Sequence, residues 1–159
     1  MKIICVGRNY AEHARELNNP VSEQPVIFLK PETALLQRRQ PFFIPDFSSE
    51  IHHEIEIVVK INRLGKNIQP QFAHKYYSEI GLGIDFTARD LQSSLKSKGL
   101  PWELAKAFDG SAPVGEFIPK SELEPLNDIR FSLKKNGTIV QDGTTADMIF
   151  SIDTIIAFT

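Results

Sequence analysis

The chain has one cysteine, Cys5, in 159 residues. A single cysteine forms no internal disulfide, and within an apolar run it reads as a small buried hydrophobe. No stretch approaches ~18 uninterrupted apolar residues, so no membrane-spanning helix is predicted. The N-terminus, Met1-Lys2-Ile3-Ile4-Cys5-Val6-Gly7, has too short an apolar run for a secretory leader and reads as a first strand. A formal net charge of −2 offers no basic excess to attract nucleic acid or an anionic membrane. There is no G-x-S-x-G elbow and no H-E-x-x-H pair, which argues against serine-hydrolase and zinc-protease chemistry. Gly81-Leu82-Gly83 lacks the third glycine of a dinucleotide fingerprint. With no internal repeat, low-complexity tract or linker, the chain reads as one cytoplasmic domain over residues 1–159.

What is present is a series of short strands punctuated by two or three helices. Strands are expected at 2–6, Val26–Leu29, Glu54–Ile61 and Ile80–Phe86, with loop and edge structure from Gln40 to Phe47. Asn136-Gly137 between Arg130–Lys135 and Thr138–Asp142 is a type I′ hairpin signal. Helical character is expected over Tyr10–Leu17, over Gln71–Tyr77 behind Pro70, and from an N-cap at Thr87 to about Lys98. In that last helix Asp90 would complete a variant capping box, and Gly99-Leu100-Pro101 would stop it. Ser151 opens a final helix that reaches Thr159 with no stop signal, so the chain is expected to be incomplete at its C-terminus. The fold class is α+β, mainly β.

The chemistry concentrates in Ile51-His52-His53-Glu54-Ile55-Glu56-Ile57-Val58-Val59. Period-two alternation puts Glu54 and Glu56 on one face of an apolar strand, where like charges repel and resist desolvation. Asp85 closes a second apolar strand. Three carboxylates converging from strands suit a hard divalent cation such as Mg²⁺ or Mn²⁺; the plain reading is the polar face of an amphipathic strand. Such a set needs basic company, for which Lys106, in a mostly apolar stretch, and Arg89 are candidates. Arg89 and Gln92 share a helical face, as do His13 and Glu16. Surface neighbours and solvated faces remain the ordinary reading of these pairs, and a snorkelling side chain that of Lys106. His52 falls on the Glu54 face and His53 on the other, so they cannot ligate alike and are taken as supporting or structural.

Val6-Gly7-Arg8-Asn9-Tyr10, Phe28-Leu29-Lys30-Pro31, His53-Glu54-Ile55-Glu56, Asp85-Phe86-Thr87-Ala88-Arg89-Asp90, Pro101-Trp102 through Ala105-Lys106, and Met148-Ile149-Phe150-Ser151 occur in the order seen in the fumarylacetoacetate hydrolase family. The sequence resembles its acylpyruvase and oxaloacetate decarboxylase branch along essentially its whole length. That resemblance implies a mixed β-roll of the family's C-terminal-domain type, with an N-terminal strand and lid helix over 1–20 and a roll core over 21–159. It also implies a Mg²⁺ or Mn²⁺ cofactor and a homodimer. By the same resemblance, Glu54, Glu56 and Asp85 are the metal ligands. His13 and Glu16 are the catalytic pair, assisted by Lys106, while Arg89, Gln92 and Lys106 contact the substrate. The implied substrate is a small 2-keto acid. The implied reactions are C–C hydrolysis of acylpyruvates and decarboxylation of oxaloacetate, through a pyruvate enolate held by the metal. Isomerisation or hydration of 2-hydroxy-dienoates is the alternative, and an inactive metal-binding fragment another. The family's Thr-Gly-Thr-Pro turn is missing from this sequence, in keeping with an incomplete C-terminus.

Overall fold

A computed structural model of the chain describes residues 1–10 and 22–159. The helix expected over Tyr10–Leu17 falls largely outside the described residues, and His13 and Glu16 fall wholly outside them. Strands β1 (Ile3–Gly7) and β2 (Val26–Lys30) pair as a two-stranded sheet. Strands β3 (Leu35–Leu36), β4 (Ile51–Ile61), β5 (Tyr77–Ala88) and β6 (Ala112–Pro119) form a sheet in the order β3-β6-β5-β4, with β3 parallel to β6. Strands β7 (Arg130–Lys135) and β8 (Thr138–Thr144) form an antiparallel hairpin. Helices are short: α1 (Pro70–Ala73), α2 (Arg89–Ser97), α3 (Glu103–Lys106) and α4 (Ile152–Phe158). The chain is therefore α+β, mainly β, with parallel and antiparallel pairing together.

The residues group into two compact units: Met1–Cys5, Phe28–Val58 and Leu82–Glu116 in the first; Val6–Ile27, Val59–Gly81 and Phe117–Thr159 in the second. The first unit buries Ala34, Ala88, Ala105 and Ala112 together with Thr87, Ser111 and Lys30. Around them Phe42 stacks on Phe86 with centroids 3.8 Å apart, and the Phe108 ring meets Phe47 edge-on at 5.4 Å. Gly83 lets neighbouring strands approach: a Cβ there would lie 2.8 Å from the Val58 side chain and 3.1 Å from the Pro113 carbonyl oxygen. In the second unit α1 packs on α4, burying Ala73, Ile152 and Ile156. There the Asn9 side chain pairs with backbone, accepting from Phe150 N at 2.8 Å and donating to Phe150 O at 3.0 Å.

Local signals were mostly legible. Asn136 and Gly137 take positive φ values of 51° and 84°, as a type I′ turn demands. Gly99 follows α2 at φ +65°. Its N–H donates to Lys96 O while that of Leu100 donates to Leu95 O, the paired bonds of a Schellman stop. Ser151 caps α4, accepting from Thr154 N. Two expectations need correction. The helix behind Pro70 is four residues long, because i→i+3 bonds tighten the chain at Lys75 and Tyr76 before β5 begins at Tyr77. Thr87 is not an N-cap: it lies inside β5, fully buried, and α2 begins at Arg89 behind Ala88 with no side-chain cap. Asp90 accordingly closes no capping box with Thr87. Its carboxylate accepts from Ser48 Oγ at 2.6 Å, Ser49 N at 3.0 Å and Leu91 N at 2.8 Å.

Candidate functional site

The first unit contains a charged network built from the start of β4, the end of β5, the end of β2 and the short helix α3. A lysine ammonium in a low-dielectric interior needs anionic or carbonyl partners to remain charged. Lys106, 3 % exposed, has them. Its Nζ donates to Glu54 Oε2 at 2.8 Å, Asp85 Oδ2 at 2.6 Å and Thr87 Oγ1 at 2.6 Å. Burial works against the Lys106 charge, but Asp85 and then Glu54 outweigh it and hold its pKa above the ordinary lysine value. Glu54 shows the converse. Burial would raise its carboxyl, yet Lys106 and then Arg89 hold it below the ordinary range.

Lys30 is the participant that sequence reasoning left without a role. It is 2 % exposed, and its Nζ donates to the Lys106 carbonyl, to Ser111 Oγ at 2.9 Å and to Ser111 O at 3.2 Å. It also lies 2.8 Å from Asp85 Oδ1. Asp85 thus has an ammonium against each oxygen, Lys30 at Oδ1 and Lys106 at Oδ2. Burial is the first cause that pulls the Lys30 pKa down, partly offset by Asp85. The signal available was a lysine ending an apolar strand immediately before Pro31, inside a motif already quoted for the family.

Glu56 is the third carboxylate. Its pKa is pushed up to about 8, by burial first and then by repulsion from Glu54 and Asp85, with Lys106 and Lys30 relieving only part. Arg89 joins the network through Glu54 Oε1 and Gln92 Oε1. Cys5 faces the same charges, and its thiol is pushed up to about 12 by burial and by Asp85. Glu54, Glu56, Asp85, Arg89, Gln92 and Lys106 thus gather in one network, whereas His13 and Glu16 lie outside the described residues.

The donor set fits a hard divalent ion in chemistry: three neighbouring carboxylates, of which Glu56 is pushed toward its protonated form by burial and by repulsion from the other two. As the side chains stand, no group of three His, Cys, Asp or Glu residues among the described ones is arranged to hold a metal. The Lys106 ammonium bridges Glu54 and Asp85 instead. No helix among the described residues is long and apolar enough to cross a membrane.

Residues 2–159 match the family model described as fumarylacetoacetate (FAA) hydrolase C-terminal. The chain is 44% identical over 156 residues to the mitochondrial oxaloacetate tautomerase FAHD1 of Rattus norvegicus, covering 98% of this chain and 71% of that protein. It is 42% identical over 158 residues to the mitochondrial oxaloacetate decarboxylase of Dictyostelium discoideum, covering 99% and 72%. A crystal structure of a fumarylacetoacetate hydrolase family protein from Yersinia pestis CO92 superposes with a TM-score of 0.93 at 46% identity, covering 99% and 72%. The fumarylpyruvate hydrolase of Pseudomonas aeruginosa, in complex with Mn²⁺ and pyruvate, superposes with a TM-score of 0.91 at 34% identity, covering 99% and 70%.

Proposed function

Because this chain belongs to the fumarylacetoacetate hydrolase family and is an enzyme of it, we propose that it interconverts enol and keto forms of oxaloacetate with a divalent metal. The observation that carries the reading is the buried network in which Glu54 and Asp85 pair with three cations, Lys30, Lys106 and Arg89, beside a third buried carboxylate, Glu56. When bound by Glu54, Glu56 and Asp85, Mg²⁺ or Mn²⁺ would supply positive charge where an enolate oxygen develops. The names of the rat and slime-mould relatives, and the Mn²⁺ and pyruvate in the Pseudomonas enzyme, support that choice of ion and substrate class.

The residues divide the work by protonation state. Lys106, held charged by Asp85 and Glu54, is not a base, and its positive charge stabilises developing negative charge nearby. Arg89, with Gln92 beside it, grips a substrate carboxylate. Lys30 and Thr87 fix Lys106, the first through its backbone carbonyl and the second through its ammonium. His13 and Glu16 are proposed from the family motif as the pair that activates water.

Loss of CO₂ from oxaloacetate and cleavage of an acylpyruvate both deliver the pyruvate enolate, so one charged site serves decarboxylation and C–C hydrolysis as well. Hydrolysis is the second reading, supported by the fumarylpyruvate hydrolase likeness. A homodimer and a cytoplasmic location remain proposals; the rat and slime-mould relatives carry mitochondrial names. The test is ultraviolet decay of freshly dissolved oxaloacetate enol, run with Mn²⁺ or with EDTA, alongside pyruvate release from oxaloacetate and acetylpyruvate. Metal-dependent acceleration of the decay is expected. Pyruvate release from acetylpyruvate with no change in enol decay would favour the hydrolase reading instead.

A further inference from the structure

The Arg89 guanidinium is held on three sides. Nη1 donates to Gln92 Oε1 and Nη2 to Glu54 Oε1. Nε donates to His52 Nδ1 at 3.2 Å, and His52 Nε2 lies 2.8 Å from Glu50 Oε1. An arginine Nε always carries its proton, so Nδ1 must be the bare acceptor nitrogen of the ring. Nε2 then carries the single imidazole proton and donates it to Glu50. One neutral tautomer satisfies both contacts.

The backbone reinforces this arrangement. Arg89 N donates to Glu50 O at 2.8 Å, and Asp90 holds Ser48 and Ser49 through their hydroxyls and the Ser49 N–H. The segment carrying Glu50 and His52 is therefore tied to the first turn of α2 at Arg89 and Asp90.

We infer that His52, oriented by Glu50, is a positioning residue that sets the plane of the Arg89 guanidinium for a substrate carboxylate. The inference rests on the reading of Arg89 as the carboxylate-binding group. Glu54 by itself would draw the guanidinium toward the ion-pair network, and Glu54 already shares its other oxygen with Lys106. His52 and Gln92 are neutral acceptors, so they hold the side chain without consuming its charge. Of five guanidinium N–H groups, these contacts use three. One remains on each terminal nitrogen, available to donate to a carboxylate.

The test compares His52→Asn, whose Oδ1 replaces Nδ1 as an acceptor, with His52→Leu, which has none. The His52 side chain is 44% exposed and its Glu50 partner 54% exposed, so neither change threatens the fold. His52→Leu is expected to raise KM for oxaloacetate about tenfold with kcat little changed, and His52→Asn to stay near wild type. Independently of turnover, the Arg89 Nε–H proton should exchange slowly with water in wild type and His52→Asn, and fast in His52→Leu, all in EDTA. Equal exchange in the three proteins, or nitrogen NMR placing the ring proton on Nδ1, would overturn the inference. So would an equal fall in thermal stability in both variants with KM unchanged. If the wild-type protein acts on no keto acid, the functional reading fails, while the exchange comparison still decides the role of His52.

Discussion

Replacing Lys106 with Met keeps much of the side-chain volume and removes the ammonium that bridges Glu54, Asp85 and Thr87 at 2.8, 2.6 and 2.6 Å. Breaking a buried ion pair by deleting one partner costs about 3–5 kcal/mol, because the surviving charge is left uncompensated. Here the loss is softened: Asp85 keeps Lys30 at 2.8 Å and Glu54 keeps Arg89. We therefore expect the metal-free variant to lose about 2–3 kcal/mol. For a chain of this size that is a fall in Tm of about 4–12 °C. The carboxylates left without their ammonium should then bind a divalent cation more readily, so saturating Mn²⁺ should recover more stability in the variant than in wild type. Urea titrations of both proteins, in EDTA and in Mn²⁺, measure all four values. Equal midpoints in EDTA, or identical gains from Mn²⁺, would refute the view that Lys106 neutralises this carboxylate set.

Three further outcomes follow from the same geometry. Glu56 has its pKa raised from an ordinary 4.5 to about 8, mainly by burial, so the folded state keeps a proton that the unfolded chain releases. The Glu56 contribution to metal-free stability is therefore fully present below the unfolded pKa and is lost as pH rises toward the folded one, by up to about 1.4 kcal/mol per pH unit; urea midpoints across that range in EDTA should fall, and Glu56→Gln should flatten the trend. Burial and Asp85 push the thiol of the half-buried Cys5 to about 12, so Ellman's reagent should label it far more slowly in the native protein than after denaturation, and equal rates would contradict the shift. Gly83→Ala would put a Cβ 2.8 Å from Val58 and 3.1 Å from the Pro113 carbonyl oxygen, a crowding expected to cost about 1–3 kcal/mol; an unchanged thermal transition would show that the strands are not so closely apposed.

The parts of this molecule written in local chemistry were legible before any coordinates. Asn136-Gly137 dictates its turn, Gly99 its helix stop and Ser151 its cap, because each acts on backbone groups within a few residues. Thr87 shows the limit of such reading. Followed by Asp90 at the right spacing, it has the look of a helix cap, but its hydroxyl accepts from a lysine nineteen positions away. No local rule anticipates that competition. The converging carboxylates were legible because alternation fixes Glu54 and Glu56 on one face and Asp85 ends a neighbouring strand. Lys30 was not given a role, because its partners, Asp85, the Lys106 carbonyl and Ser111, come together only in the tertiary fold. Oxaloacetate tautomerisation was not among the reactions read from the sequence, and the choice between decarboxylation and hydrolysis was illegible for a chemical reason: each needs a stabilised enolate charge, so the residues that supply it look alike.

The central claim is that Glu54, Glu56 and Asp85 together bind one divalent cation. Its most direct measurement is a Mn²⁺ titration followed by electron paramagnetic resonance, on the wild-type chain and on Asp85→Asn. One bound ion per chain in the wild type, and none at the same concentration in Asp85→Asn, is the expected result. Equal binding by the two proteins, or no binding by the wild type, would contradict the account.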